Sequence, residues 1–426
     1  MLVGSELCAQ NPLSSDRKWL LGDWNGQRQQ FEEQGYKLTA ALISEAASNL
    51  SGGYKSDKTV ENAAQLTLGA QFDLAKIKDW EATTASIVVT KRDGNSLSRS
   101  RINDLRVSTL SNIQEIYGRG KIWRLSQAWI KKGFIENTLQ AKFGRMGMSE
   151  DFNSSQCEFQ NLILCGGQLG KSIGTIWYNS PVSVWGMNFK YQMHPEWTVG
   201  VGVYEVNPDN IRTQSKRDGF NLDIDNVKGA TIPIELMWKP EHLNQQQRIS
   251  EYKVGALYST ADATSVSSTT KTYDAKYSLW FNAIQQLSQN RTDPKRGLYM
   301  SLNLVLNDKA TTTIQSTQQL AFWYKGFFDL RPQDQVGLAL GYYQINSKVT
   351  DRQKTINQAR GLTDDQYNNV IYQPVQNNEL NVELNYTYHW SPAIMLRPNL
   401  QYIHQPSGVK NISDAWVAGL TMRINF

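Results

Sequence analysis

The chain closes on AWVAGLTMRINF, Ala415 to Phe426, a stretch with a strict two-residue period. Trp416, Ala418, Leu420, Met422, Ile424 and Phe426 share one parity; Val417, Gly419, Thr421, Arg423 and Asn425 share the other. In an extended chain successive side chains point to opposite faces, which gives one apolar face and one mostly polar face. Chain ends fray unless something pairs them. A terminal strand this regular is therefore expected to pair, and so to close a sheet.

The same alternation recurs upstream. Leu66, Leu68, Ala70, Phe72 and Leu74 alternate with Gln65, Thr67, Gly69, Gln71 and Asp73, and Trp185, Met187, Phe189, Tyr191 and Met193 with Gly186, Asn188, Lys190 and Gln192. Leu298 to Leu306 and Leu380 to Trp390 repeat it. Taken in order, such segments predict strands at 36–45, 65–74, 82–91, 122–131, 137–145, 182–193, 197–206 and 230–239. They continue at 251–260, 272–282, 297–307, 318–329, 335–345, 379–390, 393–404 and 415–426, sixteen in all.

The connections sort by length. Long ones follow odd strands, at 92–121, 146–181, 207–229 and 346–378, and tight ones follow even strands, at 194–196, near 331 and at 391–392. A longer turn at 283–296 and a short loop at 308–317 break the rule. Long loops at one end and short turns at the other describe an outer-membrane barrel, as does an apolar parity carrying Tyr, Trp and Phe near strand ends. Strands survive in hydrocarbon only as a closed sheet, since every edge group needs a partner. The expected fold is thus all-β, a transmembrane antiparallel β-barrel of 16 strands with a short N-terminal helix. Residues 1–35 form the N-terminal segment and 36–426 the barrel, with 415–426 pairing against 36–45. Within WLLGDWNGQRQQFEEQG, Asp23 is expected to cap that helix and Gly35 to stop it.

Composition agrees with that solvent. Only 19% of the 426 residues are charged, where a soluble domain has nearer a quarter, and aromatics make up 11%. Mean hydropathy is −0.50 and no apolar run reaches the length of a spanning helix. A net charge of +5, spread along the chain, gives no nucleic-acid footprint.

Cys157 and Cys165 bracket CEFQNLILC without nearby histidines, which favours a disulfide in an oxidising compartment over a metal site. Cys8 is left over, and its flank GSELC is a poor match to a lipidation site. The first residues lack the basic and apolar regions of a secretory signal, so an exported chain would have had its signal removed or replaced. His194, His242, His389 and His404 have no metal-ligand spacing, and no G-x-S-x-G elbow occurs. CGGQLGKSI has Cys165 where a phosphate-binding loop needs its first glycine, and a glycine-rich bend explains it better. No catalytic residue, metal or cofactor is expected.

The candidate chemistry lies in ionisable residues of the polar parity: Glu45, Asp73, Lys142, Lys190, Glu235, Glu383 and Arg124. Arg92 sits just past strand three and leads into a loop with Arg99, Arg101 and Arg106. Opposed charges in a narrow pore can orient a neutral polyhydroxylated solute, carboxylates accepting and guanidinium groups donating. Glu45, Arg92, Arg101, Arg124, Glu235 and Glu383 form the expected constriction set. The blander reading is that these charges pair among themselves and hold the barrel round.

LLGDWNGQRQQFEEQGYKL followed by SGG resembles the opening of the OprB-type carbohydrate-selective porins. IYGRGKIWRLSQAWIKKGF, KFGRMGMSEDF, CEFQNLILCGG, SPVSVWGMNFKYQ, VGVYEVNP, IPIELMWKP, LRPNLQYIHQP and the terminal Phe426 follow in the family's order. The resemblance implies a Gram-negative outer-membrane barrel that passes glucose and similar mono- or small oligosaccharides by diffusion. It also implies contact with outer-membrane lipid and lipopolysaccharide, and leaves open whether barrels associate as a homo-oligomer. Family members fold one extracellular loop inward, for which 146–181 is the candidate here. A general or anion-preferring porin, and a barrel enzyme or adhesin, are the alternatives.

Overall fold

The structure, a computed structural model, describes residues 14–110, 112–213, 218–240 and 248–426; Cys8 and His242 lie outside them. Sixteen antiparallel strands close into a barrel. They are β1 (Tyr36–Gly53), β2 (Val60–Asp73), β3 (Thr83–Gly94), β4 (Trp123–Phe134), β5 (Leu139–Met146), β6 (Val184–His194), β7 (Trp197–Glu205) and β8 (Ala230–Trp238). Then come β9 (Ser250–Ser259), β10 (Lys276–Gln286), β11 (Gly297–Asn307), β12 (Ile314–Lys325), β13 (Gln335–Ile345), β14 (Glu379–Ser391), β15 (Ile394–His404) and β16 (Ser413–Asn425). Each strand pairs with its chain neighbours, and β16 pairs with β1 from Ala41↔Asn425 to Ser48↔Ala418. The closing strand does what its alternation required.

The parity of β16 is the expected one. Trp416 and Leu420 face outward and are exposed to the lipid layer, while Val417 and Thr421 point in and are buried. Outward aromatics gather at both rims. Trp197 stacks on Trp238 with centroids 5.5 Å apart at the short-turn end, and Tyr402 meets Trp416 at 5.0 Å near the other. Among the described residues no helix is long and apolar enough to cross a membrane.

Several boundaries differ from expectation. β1 runs eight residues past 45, through a segment of small residues, because pairing on both flanks continues to Ser48 and resumes at a bulge. β12 both begins and ends four residues early, since Gly326 adopts φ 67° and turns the chain before Phe327. β10 starts at Lys276; Thr272–Tyr273 pair instead with Ala263–Thr264 in a small outer ribbon. Asp73 does not face the lumen as an isolated charge. Its carboxylate caps the helix Leu74–Lys78 by accepting from Ala75 N at 3.2 Å.

The N-terminal helix is Gln27–Glu33, three residues shorter at its start than Asp23 capping would give. Trp24, Asn25 and Gly26 all have positive φ, so a left-handed turn precedes the helix. Gly35, at φ 97°, ends it as expected. This segment lies on the barrel seam: Leu20 N donates to Asn425 O at 2.8 Å and Arg28 Nη1 to Phe426 O at 2.7 Å.

Candidate functional site

The long loop after β5 enters the barrel and fills much of its bore. Its apolar residues make their own core against inward-facing wall residues. Phe152, Leu169, Ile173 and Trp177 pack on Tyr204, Leu257, Trp280 and Val305. Phe159, Ile163 and Leu164 pack on Tyr299, Trp323, Ala339 and Tyr343. A Cβ on Gly341 would meet Ile163 Cγ2 at 2.5 Å, so the loop's close approach needs glycine on the wall there. Cys157 and Cys165 are bonded at the loop's tip, their Cα atoms 4.1 Å apart.

Wall carboxylates hold this loop by its backbone. Glu383 accepts from Gln160 N at 3.0 Å and Asn161 N at 2.8 Å. Glu235 accepts from Asn153 N at 2.8 Å and from Trp280 Nε1 at 2.7 Å. Glu45 accepts from Ile116 N, 3.2 Å away on the neighbouring loop 95–122. These three carboxylates are 6% exposed or less, so their lone pairs serve loop amides. A buried N–H needs a partner, and a charged acceptor makes a strong one. Lys142 adds a clamp, donating at 2.9 Å to both Glu150 and Asp151, and Lys190 reaches Asp151 at 2.9 Å. Burial would raise the Asp151 carboxyl, but Lys190 and Lys142 outweigh it and hold it below the usual carboxylate value.

Arg124 is also a positioning group. It is buried, and its guanidinium donates to Arg119 O at 2.8 Å and Asn210 O at 2.9 Å. Arg101 ion-pairs with Asp57 at 2.9 Å, which ties loop 95–122 to the β1–β2 connection. Arg92 lies inside β3, not past it as expected, because the ladder with β2 continues to Gly94. Of the six expected residues, Arg92 alone lines the cavity between the two inner loops.

That cavity holds about 360 Å³. Its charged lining is Arg92, Arg119, Lys171, Glu115 and Glu150. Arg92 Nε donates to Gln65 at 2.7 Å and Lys171 Nζ to Cys165 O at 2.6 Å. Toward the outer mouth a second cavity shares Arg92 and Arg119 and adds Arg99 and Lys121. Arg119, Lys171 and Glu115 were not singled out from the sequence, because they sit on loops where no period marks a face. Two traces were present: Arg119 stands in IYGRGK, and Lys171 in the glycine-rich CGGQLGKSI.

A closed 16-stranded barrel, apolar outside and narrowed by an inward loop to a charged cavity, defines a passive diffusion porin. The carbohydrate-selective porin family, OprB, matches residues 57–426, and the chain belongs to it. It is 64% identical over 428 residues to the putative porin QuiX of Acinetobacter baylyi, covering all of this chain and 97% of that one. It is 42% identical over 436 residues to Porin B of Pseudomonas aeruginosa, covering all of this chain and 95% of the relative. The high-pH structure of Pseudomonas putida OprB superposes with a TM-score of 0.93 at 40% identity, over 97% of this chain and 100% of that one. The protein is a passive channel for sugars in the Gram-negative outer membrane. Family and fold point to a channel rather than an enzyme.

Proposed function

We propose that the channel prefers glucose-sized monosaccharides, and that Arg92, Arg119, Lys171 and Glu115 make the contacts that select them. The observation that carries this reading is the convergence of three cations and two carboxylates, Glu115 and Glu150, on one 360 Å³ cavity. Such a lining offers a hydroxylated ring both donors and an acceptor, held too loosely to trap it. Glu45, Arg124, Glu235 and Glu383 act on the solute indirectly, by fixing the loops that bring those groups together. Arg101 does the same at the outer mouth. We read the chain as carrying no catalytic site, its outer face meeting lipid and lipopolysaccharide.

The test is uptake into liposomes carrying the purified protein, comparing glucose with a neutral amino acid of similar size. Faster glucose uptake, lowered in Arg92→Ala and Arg119→Ala, supports the reading. Equal rates for the two solutes, or unchanged glucose flux in both variants, refute it. A second reading, an anion-preferring channel, is favoured by the excess of cations over carboxylates in the cavity. The reversal potential in a salt gradient separates the two.

A further inference from the structure

Below the stapled loop, at the short-turn end, lies a separate cavity of about 420 Å³. Cys157 and Glu158 form its ceiling, whereas Cys165, the other half of the disulfide, lines the cavity above. The loop thus has a different pocket on each side. The lower one has its own chemistry. Lys295, Lys325, Arg397 and Arg423 face it, against Glu158 as the one carboxylate among the described lining residues. Arg397 is 5% exposed and already spent, donating to Glu158 at 2.8 Å and to Thr387 Oγ1 at 2.8 Å. That pair cancels the one negative charge among the described lining residues. The side-chain cations of Lys295, Lys325 and Arg423 have no hydrogen-bond or ion-pair partner among the described residues.

The same cavity is lined by an aromatic pair. Tyr299 and Trp323 stack with centroids 5.5 Å apart and planes 4° from parallel. The tyrosine hydroxyl is anchored on Lys295 O at 2.8 Å, which fixes the platform beside the lysine. The two rings are buried, at 6% and 5% exposure, so they show the cavity their edges. An apolar border next to unpaired cations suits a solute with C–H groups, several hydroxyls and a negative group.

Resting on the reading of the chain as a sugar channel, we infer that this vestibule is a second solute subsite, specific for anionic polyhydroxylated solutes of the aldonate or hexuronate class. Lys325 and Arg423 take the carboxylate, and the ring edges of Tyr299 and Trp323 border the carbon chain or ring. A solute leaving the upper cavity would reach this site before the periplasm, so the channel would hold sugar acids longer than neutral sugars.

The experiment is block of the ionic current through single channels in a planar bilayer, with gluconate or glucose added to one side at a time. Gluconate should block at lower concentration than glucose, and more strongly from the short-turn side. Lys325→Gln with Arg423→Gln should weaken gluconate block by about tenfold, the loss of roughly one charge-assisted contact. Glucose uptake should be unchanged in that variant. Lys37→Gln with Lys78→Gln removes equal charge from exposed positions at the same end and should leave gluconate block intact. Equal block by the two solutes, or undiminished gluconate block in Lys325→Gln/Arg423→Gln, would overturn the subsite. Failure of the sugar-channel reading is distinct, since it shows as absent glucose selectivity in the wild-type liposomes.

Discussion

Glu383, on the wall strand β14, accepts the backbone N–H of Asn161 at 2.8 Å, joining residues 222 apart in the chain. Its other oxygen takes Gln160 N, and the side chain has no exposed surface. A carboxylate that the strand pattern marks as a lumen charge is the peg on which the inward loop hangs. The position of the loop inside the barrel is therefore set by wall residues that lie beneath it.

Glu383→Ala should free the stapled tip while leaving the barrel closed. Two charged hydrogen bonds, each worth about 1.5–3 kcal/mol, would be lost from the loop and none from the strand ladder. Single-channel conductance should rise and become noisier. Glu383→Gln should show a smaller rise, because one carbonyl oxygen still accepts. Unaltered conductance in Glu383→Ala would show that the loop does not depend on this peg.

Gly341→Leu is expected to reach a similar end by crowding. Its Cβ alone would stand 2.5 Å from Ile163 Cγ2 and 2.8 Å from Leu164 Cδ2. Overpacking of this kind costs about 1–3 kcal/mol, which the loop can relieve by moving away from the wall. Swelling rates of proteoliposomes with a trisaccharide should increase, and heat-modifiable gel migration should still report a folded barrel.

Reducing the disulfide should change less. Closing the short loop between Cys157 and Cys165 contributes about 2–3 kcal/mol on chain-entropy grounds. Arg397, Asn385, Glu383 and Asn399 still hold residues 158–161 from the wall. Cys157→Ser with Cys165→Ser should fold, insert and conduct, with increased current noise; loss of the folded, heat-modifiable form would contradict this.

The N-terminal seam makes its own prediction. Arg28 sits over the rings of Trp19 and Trp24, 4.3 and 5.1 Å from their centroids, and donates to Phe426 O. Arg28→Ala should lower the temperature at which the barrel unfolds in detergent, corresponding to about 1.5–3 kcal/mol for a hydrogen bond from a charged group. Flux at room temperature should be unaffected.

Acid should loosen the outer loops before the barrel. Asp104 accepts from Arg106 at 2.7 Å and from Tyr367 Oη at 2.6 Å, joining loops 95–122 and 346–378. Burial raises the Asp104 carboxyl, but hydrogen bonds from Arg106 and Tyr367 outweigh it and leave it below its ordinary value. A carboxyl lowered in the folded state stabilises above its unfolded pKa of about 3.9 and loses that contribution as pH falls through the lowered value. Pepsin cleavage within 346–378, normalised at each pH to cleavage of the heat-unfolded chain, should rise as pH drops below about 3.9, and Asp104→Asn should abolish that rise. A flat profile in the wild type would refute the link.

The barrel wall is legible in the residue pattern alone. Alternation with period two, read against a lipid outside and water inside, fixes which face each strand residue takes. It also fixed the strand number, the side on which the long loops fall, and the closure of β16 on β1. Those features depend on neighbours in the chain or on solvent, and local pattern carries both. The cavity between the inner loops depends on neither. Glu45, Glu235 and Glu383 had the parity of pore-lining charges, yet each ends on an amide from a loop 71 to 223 residues away. Arg119, Lys171 and Glu115 had no parity at all, and only the packed loops bring them to one cavity. A loop buried inside a barrel must satisfy its backbone from the wall, and that exchange of partners is settled only when the chain has folded.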